Sequence, residues 1–191
     1  SGYLGELLGK EYVSKHFSHE NKKEVEKLVG ELKKSLHKIL TELEWMSAET
    51  KKEALKKLKG MGVKIGYTDK WKNYSKLELE DDNLINNAIR INKFEWNRMV
   101  KKFNKKIDKT QWRMHPYEIN AYYRPLRNEI VFPAGILQYP FYKPGNDAIN
   151  YGAIGSVIGH EITHGFDNSG RKFDSKGKLR DWWNQEDAKK Y

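Results

Sequence analysis

The chain contains no cysteine among its 191 residues. Disulfides and thiolate metal sites are therefore excluded, and any metal must be held by imidazole or carboxylate. The same absence leans toward a reducing compartment. Proline is scarce, at 5 residues. No apolar run approaches the length of a bilayer span, so no membrane segment is expected within the chain. No charged-then-apolar leader opens it. Acidic residues are outnumbered, 26 against 36 basic, for a formal charge of +10. The lysines run from Lys10 to Lys190, mostly beside glutamates in helical patterns. They read as solvated helix faces rather than the one-sided stripe of a nucleic-acid footprint. With 38% hydrophobic and 32% charged residues, the chain is globular rather than disordered.

What is present begins with apolar stripes at helical spacing. Leu4, Leu7, Leu8 and Val13 predict a short first helix. Ser18 is placed to cap a longer one, with Val25, Leu28, Val29, Leu32, Leu36, Ile39, Leu40 and Leu43 on one face. Ser47 is placed to cap a third, which carries Leu55 and Leu58 and stops near Gly60 and Gly62. Val63 to Tyr67 reads as a short strand. Leu84, Ile85, Ala88, Ile91, Met99, Val100 and Phe103 mark a further long helix. All of these stripes are expected to face a core. Near Gln111 charge density falls and aromatics, proline and glycine rise. Residues 118–123 and 128–132 predict a hairpin joined by Arg124 to Arg127. Residues 149–166 predict one last long helix, and Gly165, Gly170 and Gly177 mark the way out of it.

That last helix carries His160-Glu161-Ile162-Thr163-His164. At roughly 100° per residue, positions i and i+4 lie about 40° apart, so both imidazoles point the same way. Two neutral ring nitrogens in that geometry can hold one Zn²⁺ at about 2.0–2.1 Å each. Glu161 projects from the edge of the same face, placed to take a proton from an activated water. Chance produces this H-E-x-x-H pattern about once in sixty chains of this length and composition. Val157 falls about 60° from His160 on the same face, whereas Ile154, Ile158 and Ile162 cluster toward a core. A catalytic zinc also needs a third protein ligand. The spacing in which a third histidine follows closely fails, because Asp167 and Gly170 stand where glycine and histidine are required. Glu186 is the only glutamate after the motif, and it falls in a helix's first turn, where a solvated acid is ordinary. The third ligand is therefore expected outside these residues.

Longer stretches around the motif sharpen the reading. They are Asn120-Ala121-Tyr122-Tyr123, Arg127 through Gln138 (with Val131-Phe132-Pro133-Ala134-Gly135), Asn150-Tyr151-Gly152-Ala153-Ile154-Gly155, Val157 through Asp167, and Asp181-Trp182-Trp183. Together they resemble the neprilysin family of zinc metalloendopeptidases, which includes bacterial oligopeptidases. The resemblance is dense over 111–183 and continues upstream through Leu43 to Thr50 and Ile65-Gly66-Tyr67. It implies a mainly α (α+β) fold of the thermolysin-like gluzincin type: a helical body with a small antiparallel sheet beside the zinc helix. It implies that His160 and His164 bind zinc and that Glu161 is the general base. Asn120 and Ala121 would lie on an edge strand and hydrogen-bond the substrate backbone. Ile136, Phe141 and Val157 would line the pocket for the residue after the scissile bond. Ser156 stands where neprilysin has a bulkier apolar residue.

The resemblance further implies cleavage of oligopeptides on the amino side of hydrophobic residues. It implies a partial catalytic domain, helical over 1–110 and carrying the hairpin and zinc helix over 111–191, with its third ligand supplied by the rest of a parent chain. The fragment alone is then expected to be inactive and to hold zinc weakly or not at all. The expected location is the bacterial cytoplasm. The expected partner is an oligopeptide, with no nucleic acid. Two other classes fit parts of the sequence: a non-catalytic peptide-binding module that keeps the strand edge without metal, and a basic helical nucleic-acid-binding protein.

Overall fold

Ser18 and Ser47 act as the caps their positions predict. In the computed structural model, which describes residues 3–81 and 83–191, the Ser18 hydroxyl accepts from the Asn21 amide and opens α2, His19–Glu42. Ser47 accepts from Thr50 and opens α3, Ala48–Lys59. A shorter helix, α1 (Gly5–His16), precedes them. From α2, Val25, Leu28, Val29 and Leu40 enter the core, while Ile39 remains exposed. From α3 come Thr50, Ala54, Lys57 and Leu58. The two helices pack on each other, and α2 also packs on the strand Gly62–Gly66.

The sheet corrects the expectation of a purely antiparallel arrangement. It has three strands in the order β1-β3-β2: β1 is Gly62–Gly66, β2 is Tyr122–Arg124 and β3 is Glu129–Pro133. The predicted hairpin forms β2 and β3, paired antiparallel with Tyr122 opposite Val131. The strand predicted from Val63 lies parallel to β3, with Ile65 opposite Phe132. Every residue of β3 is buried. Such a strand, covered on both faces, accepts partners on both edges, and parallel pairing needs the long connection that separates β1 from β3. The hairpin is also shorter than predicted. A 3₁₀ turn, Pro125–Arg127, joins its legs, and the first leg starts only at Tyr122. Asn120 and Ala121 therefore sit just ahead of the edge strand rather than within it. At Gly66, where φ is 74°, the Phe17 ring occupies the place a Cβ would take.

Two further expectations change. The stripe on α4, Leu84–Val100, is amphipathic but does not face a core: Leu84 is 82% exposed and Ile85 72%, and of the stripe only Ile91 is buried. The long motif helix is two helices, α5 (Asp147–Gly152) and α6 (Ile154–Thr163). They part at Ala153, whose φ and ψ are −96° and −88°. There the Ile154 amide leaves the helical ladder and donates to the Phe141 carbonyl at 2.9 Å. Beyond the break α6 points Ile154, Ile158 and Ile162 into the core, at 0, 0 and 1% exposure, as their spacing predicts. A last short helix, α7 (Gln185–Lys190), returns to α3, where buried Asp187 accepts from the Ser47 amide and hydroxyl. Among the described residues no helix is long and apolar enough to cross a membrane.

Candidate metal centre

With its isoleucines locked into the core, α6 presents its opposite side outward. His160 is exposed, and His164, the residue that ends the helix, keeps helical dihedrals and lies one turn further on. The two rings converge edge to face, and their Nε2 atoms are 3.0 Å apart. One carboxylate oxygen of Glu161 completes a group whose ligand atoms all lie within 4.8 Å of one another.

The donor set fits zinc. Two bonds of about 2.05 Å at a tetrahedral angle bring their nitrogens about 3.3 Å apart, close to the observed spacing. The tautomer fits as well. His164 Nδ1 lies 2.8 Å from Asp167 Oδ2, and an ionised carboxylate only accepts, so Nδ1 carries the proton and Nε2 offers its lone pair. A carboxylate behind a metal-binding histidine is the usual means of fixing such a ring. Asp167 is itself held: its Oδ1 accepts from the Ser169 amide at 2.9 Å and the Gly170 amide at 2.7 Å. Burial works against its charge, but the bonds from His164, Gly170 and Ser169 prevail and keep its pKa below the ordinary value. Gly170 has no room for a side chain, because a Cβ there would fall on the His164 carbonyl.

Glu161 is 7% exposed. Burial raises its pKa above that of an ordinary glutamate, while the two histidines and the Tyr123 backbone amide push it back down. A carboxylate raised in this way is a better proton acceptor, which suits a general base. Tyr123 lies on β2, so the edge strand and the motif helix meet at this glutamate. The Tyr123 hydroxyl donates to Asn128, which ties the strand to α3 through the Lys57 carbonyl.

The other predicted residues are distributed as follows. Ala121 is buried, and its amide donates to the Asn120 side-chain oxygen at 2.8 Å. Asn120 is exposed at the margin of the sheet. Ile136 is buried in the core, and Phe141 and Val157 are half-buried against it. Glu186 is exposed on α7 and outside the ligand group, and Asp181 pairs with Arg171. Among the described residues no further histidine or carboxylate joins His160, Glu161 and His164 in this group, so with Glu161 kept as the base the histidine pair has no third protein ligand. Sequence reasoning missed Asp167 as the partner of His164; its position three residues further on was the available signal.

Two family models, both described as Peptidase family M13, match the chain, one over residues 1–68 and the other over 120–191. Human neprilysin is 41% identical over 200 aligned residues, covering 100% of this chain and 27% of that protein. The neutral endopeptidase of Lactococcus lactis subsp. cremoris is 40% identical over 187, covering 97% of this chain and 30% of its own length. The solved structure of Mycobacterium tuberculosis zinc metalloprotease Zmp1 in complex with inhibitor matches with a TM-score of 0.90 at 43% identity, over 99% of this chain and 28% of that one. The chain thus spans about three-tenths or less of the curated relatives it matches.

Proposed function

Because the chain belongs to peptidase family M13, we propose that it carries the histidine pair and the general base of a zinc endopeptidase site that hydrolyses oligopeptides. The observation behind this reading is the convergence of the two Nε2 atoms, 3.0 Å apart, beside a buried carboxylate. His160 and His164 would hold zinc. Bound zinc supplies Lewis-acid polarisation of a peptide carbonyl and acidifies water. Glu161, with its raised pKa, takes the proton of the attacking water and passes it to the leaving amine. The margin of β2 at Asn120 and Ala121 receives the substrate as an added extended segment. Ile136, Phe141 and Val157 shape the pocket that favours a hydrophobic residue after the scissile bond.

That no donor besides Glu161 joins the histidine pair among the described residues, and the chain's small share of its relatives, support a further statement. The site is completed by a donor supplied by a longer polypeptide, and residues 1–191 alone turn over no peptide. The test compares the complete polypeptide with residues 1–191 on a quenched oligopeptide, with and without added zinc. Hydrolysis by the complete protein, abolished by chelator and restored by zinc, is expected, with none by the shorter chain. Parent-like turnover by residues 1–191 refutes the incomplete-site statement. Peptide binding without zinc or hydrolysis by the complete protein refutes the enzymatic reading.

A further inference from the structure

Among the described residues Lys57 is the one lysine in the set of largest fully buried side chains, at 1% exposure. Its ammonium donates to the Gly170 and Phe173 carbonyls, each at 2.6 Å. The Tyr123 and Trp182 rings flank it, with centroids 5.8 and 5.6 Å away. Burial pushes its pKa down to about 8 while Asp174 and Asp167 push it back up, so it keeps its proton at neutral pH. Methionine would fill this space without burying a charge, which is costly, so stability alone gives no reason for an ammonium here.

The contacts of the held segment supply one. Gly170, whose carbonyl Lys57 grips, donates its amide to Asp167 Oδ1 at 2.7 Å. Asp167 Oδ2 meets His164 Nδ1 at 2.8 Å. On its other side the Lys57 backbone carbonyl accepts from Asn128, the partner of the Tyr123 hydroxyl. We propose that Lys57 is a positioning residue for His164: its buried ammonium holds Gly170 by the carbonyl, the Gly170 amide aims Asp167, and Asp167 sets the direction and tautomer of the imidazole. This rests on the reading of His160 and His164 as zinc ligands. Lys57 touches neither metal nor substrate.

The test measures zinc affinity of the complete polypeptide by chelator competition, with the melting temperature of each metal-free protein alongside. Lys57→Met is expected to weaken zinc binding about 10-fold, and Asp167→Asn about 10–100-fold, the range for partners behind a metal-binding histidine. Because Lys57 acts through Asp167, the double variant binds zinc no more weakly than Asp167→Asn alone. Leu58→Ala, which removes a buried neighbour outside this relay, lowers the melting temperature but leaves zinc affinity within about twofold. If Lys57→Met does not fold, Lys57→Gln carries the same cycle. Unchanged zinc affinity in the Lys57 variant, or losses that multiply in the double variant, would overturn the proposal. A wild-type protein that binds no zinc fails the zinc reading itself, and the proposal with it.

Discussion

Replacing Asp167 by asparagine changes one atom and should cost the site its second ligand. The carboxylate accepts on both oxygens: Oδ1 from the Ser169 and Gly170 amides, Oδ2 from His164 Nδ1. Asparagine has one accepting oxygen. Two backbone donors converge on one side, so the oxygen must remain there; turned about, the NH₂ would face two N–H groups. The NH₂ therefore faces His164 Nδ1, which can no longer donate. The neutral ring answers by moving its proton to Nε2, the atom 3.0 Å from His160 Nε2, and loses the lone pair a metal needs. A partner of this kind is worth about 10–100-fold in metal affinity, or about 1.4–2.7 kcal/mol. A hydrogen bond to a charged group is independently worth about 1.5–3 kcal/mol. Chelator competition on the complete protein at neutral pH is the assay. Asp167→Asn that binds zinc as tightly as wild type would refute the tautomer argument.

Asp187 should matter to stability in a pH-dependent way. Burial opposes its charge, but the bonds from Ser47 and Thr50 prevail and lower its pKa below 3.8. Removing it leaves the Ser47 donors buried and unpaired, at about 1–3 kcal/mol. Its contribution is full above its unfolded pKa and is lost as pH falls through the lower folded value. Urea unfolding of wild type and Asp187→Ala should therefore differ at neutral pH and converge in strong acid; a gap that persists there contradicts the assignment. Lys57 gives a slope of the same sign in a more alkaline window. Its folded pKa of about 8 lies below the ordinary 10.5, so between those values the unfolded chain binds the extra proton and stability rises with pH. Relative to Lys57→Met, wild type should gain up to about 3 kcal/mol across that window in urea titrations, and parallel profiles would contradict it.

The mainly helical gluzincin fold was legible in local patterns: the serine caps of α2 and α3 and the isoleucines of α6 all appear where spacing puts them. Where reading failed, the cause lay outside the local window. Periodicity on α4 shows a face but not what covers it, and that face is exposed. The parallel pairing of β1 with β3 joins residues too distant in sequence for turn chemistry to reveal. Gly152 and Gly155 flank the break between Ile149 and Phe166, but glycine alone does not place it; there the distant Phe141 carbonyl takes the Ile154 amide. Lys57 was hidden among the lysines of α3, though Thr50, Ala54, Lys57 and Leu58 are i, i+4, i+7 and i+8, a buried stripe with a charge in it. The motif fixed the ligand pair because i and i+4 suffice for that, whereas Asp167 and the Tyr123 amide at Glu161 belong to tertiary structure.

The central claim is that His160, Glu161 and His164 form one zinc site in which the glutamate moves protons rather than holding the metal. Glu161→Gln in the complete polypeptide separates those roles, measured as bound zinc per chain and as turnover of a quenched oligopeptide on the same sample. The account predicts zinc content and affinity like wild type, with turnover lower by at least about 10²-fold. Cleavage at the wild-type rate, or loss of zinc together with activity, would contradict it.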